Sequence, residues 1–208
     1  MPPLVIDYYV STSSPWAYLG HAVLHDIARL RGAHINYKPL PLRSLFEQSG
    51  GLPLARRHPS RQRYRTMELH RWREQRGLTI HLAPTHSPFE AALADRVVIT
   101  LAARGVSPEH FLALTHAGVW EKNRNLADAE VLADTLRAAG HDDPAAILLH
   151  ARAPESEATY TRNLADALAA GVFGAPSYVV NGEVFWGQDR LDLLDAMLES
   201  GRKPYPSS

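Results

Sequence analysis

Two short segments hold residue types in an order that can do chemistry. The first is Ser13-Ser14-Pro15-Trp16-Ala17-Tyr18-Leu19. It follows an apolar run and opens a helical one, which places Ser14 as the N-cap and Pro15 as the first helical residue. A helix start aims unsatisfied N–H groups outward and carries partial positive charge, so an anion placed there is stabilised. A free thiol has a pKa of about 8.5, and each unit by which a site lowers it corresponds to about 1.4 kcal/mol of preference for the thiolate. A helix end and one hydroxyl donor can supply that preference. The chain has no cysteine, so a sulfur held at Ser14 must come from outside. Taken alone, a Ser-Pro pair at a helix start is an ordinary cap.

The second segment is Gly171-Val172-Phe173-Gly174-Ala175-Pro176-Ser177-Tyr178-Val179-Val180, followed by Gly187-Gln188-Asp189-Arg190-Leu191. A proline directly ahead of an apolar strand marks an edge position or a cis bond. A cis bond frees the preceding backbone N–H and C=O to grip an extended peptide by strand addition. Gln188 and Asp189 precede the last helix, where an amide and a carboxylate can hold an α-carboxylate and an α-ammonium. A turn proline and a helix-capping pair are the plainer readings of the same residues.

The elements that must position these residues are legible from periodicity. Leu4 to Val10 reads as a buried strand. In the helix from Pro15, the residues Trp16, Leu19, Val23, Ile27 and Leu30 recur at steps of three and four as one buried stripe, and Gly32 ends it. Ala33 to Pro39 reads as a second strand, parallel to the first through a right-handed crossover. The middle reads as helices over 60–76, 88–104, 108–117, 128–139 and 159–170, with breaks at Gly77, Pro84, Gly105, Gly118, Gly140 and Pro144. Strand character returns at Ser177 to Val180, the Asn181-Gly182 pair makes a two-residue hairpin turn, and Val184 to Trp186 returns. Leu191 to Leu198 closes as a helix. The order βαβ, helical block, ββα is an α/β, thioredoxin-like arrangement: residues 1–44 and 171–208 form the thioredoxin-like domain, and 45–170 form an all-helical insertion.

Composition excludes several function classes. The 208 residues carry 22 Lys+Arg against 22 Asp+Glu, so no polyanion or acidic membrane surface is favoured as a global partner. Locally, residues 56–76 hold eight arginines against two glutamates, a positive surface open to a small anion, most of it a solvated helix face. Without cysteine there are no disulfides, thiolate metal sites or protein-thiol redox steps. No apolar run reaches the length of a membrane helix and no signal segment is evident, which makes the cytoplasm the default compartment. His81 and His86 lack a third ligand at useful spacing, so no metal is expected, and surface or turn positions suit them.

Ser14-Pro15-Trp16-Ala17-Tyr18-Leu19, together with GVFGAPSYVV and FWGQDRLDLL, resembles the 2-hydroxychromene-2-carboxylate isomerase family. That family is a branch of the DsbA-like thioredoxin superfamily, next to kappa-class glutathione transferases. The likeness runs through the chain, in HPSRQRY (58–64), PTHSPFEAALADRVVI (84–99) and Val119-Trp120. It implies glutathione as cofactor, with Ser14 donating to its thiolate, Ala175 before Pro176 giving backbone contacts to its cysteinyl part, and Gln188 and Asp189 holding its γ-glutamyl end. Arg61 falls where the family has lysine, near the thiol and the substrate carboxylate; it binds as a planar fork and is a poor proton shuttle. Trp16, Tyr64 and His86 are expected to wall the substrate pocket. His86 and Ser49-Gly50-Gly51, where an asparagine is expected, are further departures. The implied reaction interconverts 2-hydroxychromene-2-carboxylate and trans-o-hydroxybenzylidenepyruvate, or a related aromatic carboxylate, by reversible thiolate addition. A kappa-like transferase and a non-catalytic glutathione- or peptide-binding module are the alternatives. Relatives suggest a homodimer, and neither nucleic acid nor membrane is an expected partner.

Overall fold

The computed structural model describes residues 3–205. Four strands form one sheet in the order β2-β1-β3-β4: β1 (Val5–Val10), β2 (His34–Pro39), β3 (Ser177–Val180) and β4 (Glu183–Trp186). β1 and β2 run parallel, with Val5 opposite His34 and Val10 opposite Pro39. β3 lies antiparallel to β1, Asp7 opposite Val179 and Tyr9 opposite Ser177. Asn181 (φ 51°) and Gly182 (φ 87°) make the β3–β4 turn, since a turn that follows the strand twist needs two left-handed residues. The sheet thus joins segments from both ends of the chain, as the order of elements implied.

The β1–β2 crossover is α1 (Pro15–Arg31), capped by Ser14 and ended by a left-handed Gly32. Its buried face is wider than the expected stripe. Ala17, Tyr18, Leu19, Gly20, His21, Leu24, His25, Ile27 and Ala28 are buried, whereas Leu30 is 70 % exposed. The reason is tertiary, because α1 is wedged between α5 (Glu109–Trp120) and α9 (Leu191–Ser200) as well as the sheet.

The helical block holds α2 (Leu42–Ser49), α3 (Pro59–Arg76), α4 (Ala92–Ala103), α6 (Ala129–Ala138), α7 (Pro144–Ala151) and α8 (Pro154–Ala169), besides α5. Two of these, α2 and α7, were not expected. Pro144 read as a break and is instead the first residue of α7, with the Asp143 side chain accepting the Ala146 N–H at 2.9 Å. Pro154 likewise starts α8 five residues ahead of the expected 159. Conversely, α4 begins at Ala92, not 88, because residues 81–91 run as an irregular segment that lays Phe89 edge-on against Trp120.

One continuous apolar core joins the sheet to the helical block, from Ile6, Tyr8 and Tyr178 to Val98, Leu112, Leu132 and Ile147. A smaller cluster around Tyr9, Leu40, Leu45, Leu164 and Val179 covers the other sheet face. No helix among the described residues is long and apolar enough to cross a membrane.

Candidate functional site

The two sequence segments meet at the C-terminal end of β1. The Ser14 hydroxyl donates to the Ala175 carbonyl at 3.1 Å and accepts the Ala17 N–H at 3.3 Å. The Ala175–Pro176 bond is cis. Pro176 leads straight into β3, and its carbonyl accepts the Gly187 N–H at 2.9 Å. The Ala175 N–H finds no acceptor among the described residues.

Ala175 and Pro176 form one wall of an open cavity of about 630 Å³, within the range of small-molecule sites. Trp16, Arg61, Tyr64, Gln188 and Asp189 also line it. Ser14 does not. It is buried, one hydrogen bond behind Ala175, and its proton is committed to that carbonyl. Donation to a ligand therefore requires the hydroxyl to turn away from Ala175, exchanging one bond of about 1 kcal/mol net worth for another. His86 does not line the cavity either. It is exposed in the turn before Pro88, carried there by the irregular lead-in to α4. Ser49 does not line the cavity, and its hydroxyl donates to the Leu45 carbonyl at 2.7 Å.

The opposite wall is α3. The His58 side chain accepts the Ser60 N–H at its start and Pro59 takes the first position. Only Leu69 is fully buried on this helix, so its role is to present a polar face. Arg61, Tyr64, Arg65, Glu68 and Trp72, at steps of three and four, all reach the cavity. Arg57 joins them from just before the helix, its Nε donating to the Leu52 carbonyl at 2.7 Å. Sequence reasoning singled out Arg61 alone; the helical step from 61 to 65 was the signal for Arg65, whereas Arg57, outside the helix, had none.

These three arginines have no acid to answer them. Glu68 pairs with Arg71, whose hydrogen bond holds its carboxyl below the usual range. Asp189 pairs with Arg190 at 2.7 Å. No ion pair among the described residues involves Arg57, Arg61 or Arg65. Burial, then the repulsion of Arg57, pulls the Arg65 guanidinium below its ordinary value; burial and Arg61 do the same to Arg57. A cavity with an unmatched positive row draws anions.

Gln188 is buried, and its Oε1 accepts from Arg76 Nη2 at 3.0 Å and Nε at 3.3 Å. The Arg76 guanidinium lies over the Trp72 ring, 5.2 Å from its centroid. This fork commits the Gln188 carbonyl to α3 and leaves Nε2 buried without a partner among the described residues. Asp189 is the partly exposed member of the pair and lines the cavity together with the Arg190 it is paired to. Among the described residues no cluster of three or more His, Asp or Glu could hold a metal ion.

Comparison with known proteins fits this geometry. Residues 5–199 match the family described as the DSBA-like thioredoxin domain. A 2-hydroxychromene-2-carboxylate isomerase from Sphingobium xenophagum is 29% identical over 195 residues, covering 93% of this chain and 97% of that protein. In fold, the chain is similar to a solved 2-hydroxychromene-2-carboxylate isomerase (TM-score 0.79, 21% identity, 95% of each chain). It is also similar to the cytosolic disulfide reductase DsbM from Pseudomonas aeruginosa solved with GSH (TM-score 0.69, 15% identity, 95% of this chain and 98% of that one). The family match runs from β1 into α9, and so takes in both segments that build the cavity wall. The chain belongs to the DSBA-like thioredoxin domain family.

Proposed function

We propose that this protein is a glutathione-dependent isomerase of 2-hydroxychromene-2-carboxylate or a closely related aromatic carboxylate. The observation that carries the reading is the unmatched row Arg57, Arg61 and Arg65 across an aromatic-lined cavity from the α1 start and Ala175. The activity is the one named for the Sphingobium xenophagum relative.

The residues present fit glutathione. The protein has no cysteine to occupy the helix start. The Ala175 N–H, without an acceptor of its own, suits the backbone of an extended peptide. Asp189 suits an α-ammonium, and the arginines suit carboxylates. When bound, glutathione supplies a thiolate for reversible addition to the conjugated double bond of the substrate.

The chain's own part is binding and charge placement. The Trp16 N–H, the first-turn amide of α1 that Ser14 does not already hold, and the Ser14 hydroxyl favour an anion at the sulfur position. Arg61 holds the substrate carboxylate as a fork and stabilises negative charge that develops beside it. Because an arginine stays protonated, Arg61 moves no proton. Trp16 and Tyr64 flank the ring.

The test is an ultraviolet assay of purified protein with authentic 2-hydroxychromene-2-carboxylate, with and without glutathione. Many turnovers per glutathione, none without it, are expected. Stoichiometric consumption of glutathione would instead mark a transferase, and binding of glutathione without turnover of any aromatic acid would mark a binding module.

A further inference from the structure

The cavity does not account for the most enclosed acid in the protein. Asp95 lies in the first turn of α4 with no exposed surface. Its Oδ1 accepts the Thr12 N–H at 2.7 Å and the Thr12 hydroxyl at 2.8 Å. Its Oδ2 accepts the Tyr160 hydroxyl at 2.8 Å and the Ser11 hydroxyl at 3.3 Å. Four donors from the β1–α1 loop and from α8 thus converge on one carboxylate, which has no cationic partner among the described residues and does not line the cavity.

The loop it grips is the one that sets Ser14. The Ser14 N–H donates to the Ser11 carbonyl at 3.0 Å. The Ser11 and Ser13 hydroxyls lie 3.0 Å apart. With the Ser11 hydrogen given to Asp95, that contact must be donated by Ser13. The chain from Ser13 through Ser11 to Asp95 therefore has one direction for as long as Asp95 accepts. Burial pushes the Asp95 carboxyl up to about 6, against the pull of the Thr12, Tyr160 and Ser11 donors. Tyr160 is the titratable group in contact with it; the adjacent Arg96 is occupied by Glu157. A buried acid costs stability that an apolar side chain of similar size would not.

We infer that Asp95 is a positioning residue: it clamps Ser11 and Thr12 so that Ser14 and the start of α1 keep a fixed direction toward the cavity, and it ties that direction to the packing of α4 and α8. This rests on the reading of the α1 start as the place where a thiolate is held.

Asp95→Asn tests it with little change of shape. Its carbonyl can still face both Thr12 donors but, without the charge, holds them more weakly, while its amide forces the two hydroxyls to become acceptors. Hydrogen exchange of the Thr12 and Ser14 amides should rise by about tenfold or more, with the amides of β1 and β3 unchanged. Isomerase kcat should fall about tenfold or more while the KM for glutathione stays within about threefold, since small displacements at a reacting centre are costly. Tyr160→Phe removes one donor and should move both readouts the same way by less; it decides the matter if the Asn variant fails to fold. Unchanged exchange at Thr12 and Ser14, exchange raised evenly through the core, or a loosened loop with full kcat would each overturn the inference. If the wild-type protein turns over no aromatic acid with glutathione, the isomerase reading fails, and the exchange measurement alone decides whether Asp95 holds the α1 start.

Discussion

The Ser14 hydroxyl bonds the Ala175 carbonyl and the Ala17 N–H. Ser14→Ala therefore removes a helix cap, at about 1 kcal/mol of stability. It also removes the one hydroxyl poised at the helix start. Glutathione affinity should stay within several-fold, while turnover falls by about a hundredfold, the scale of losing one preorganised donor; full activity in that variant would remove the residue from the mechanism. The arginine row gives a prediction with two opposite signs. Arg65 sits among like charges with no acid, so Arg65→Met should raise Tm while raising the KM for the carboxylate substrate about fivefold or more. A drop in both stability and affinity would mean that Arg65 packs structurally. Asp189→Ala should weaken glutathione binding markedly by calorimetry, because Asp189 is the acid beside Pro176 that still reaches the cavity.

At the scale of elements, the site depends on how closely α1 approaches the turn that carries Gln188. A Cβ at Gly20 would lie 2.8 Å from Gln188 Cβ, 3.0 Å from the Tyr178 hydroxyl and 3.2 Å from Leu191 Cδ1. Gly20→Ala would ordinarily gain up to about 1 kcal/mol of helix propensity. Here overpacking should outweigh it and cost about 1–3 kcal/mol. The same displacement would move the 188–190 turn, so glutathione binding should weaken along with thermal stability. A stabilised variant with unchanged binding would show that the two elements can separate freely. The pair Asn181-Gly182 and the cap Ser14-Pro15 were legible because each encodes its own local backbone. The starts of α7 and α8 were not, because a proline that begins a helix and one that breaks it look alike until the preceding cap is placed.

Across the whole molecule, three histidines are buried between α1 and α5. His21 and His25 are 4.2 Å apart by ring centroid, and His21 and His116 are 5.8 Å apart. Burial first, then the neighbouring histidines, pushes His21 down to about 2; burial pushes His116 down to about 3 and also lowers His25. Folded, these rings stay neutral through pH values at which an unfolded chain, with histidines near 6.5, takes up protons. Stability is therefore fully present above about pH 6.5 and falls on acidification, by up to about 1.4 kcal/mol per pH unit for each histidine. Asp95 acts with the opposite sign. Its folded value of about 6 lies above that of an unfolded aspartate, so between about pH 4 and 6 it offsets one histidine. Urea unfolding from pH 7.5 to 4.5 should show a net loss, and His116→Phe should flatten the slope. A pH-independent midpoint would refute the account. These histidines escaped the sequence reading because polar residues at α1 positions 21 and 25 look like a solvated face; only packing against α5 encloses them.

What the sequence determined by itself is whatever short-range chemistry encodes. The strands at both ends of the chain, the cap at Ser14, the proline ahead of β3, the absence of any internal thiol and the family likeness are all read from runs of residues in the chain. The tertiary structure alone decided which side chains share a space. It placed Arg57 and Arg65 beside Arg61, left His86 outside the cavity, committed Gln188 to Arg76 and exposed Leu30. It also joined Asp95 to donors 83 and 65 residues away. Burial and long-range hydrogen bonds depend on how elements pack, and packing has no local signature in the order of residues.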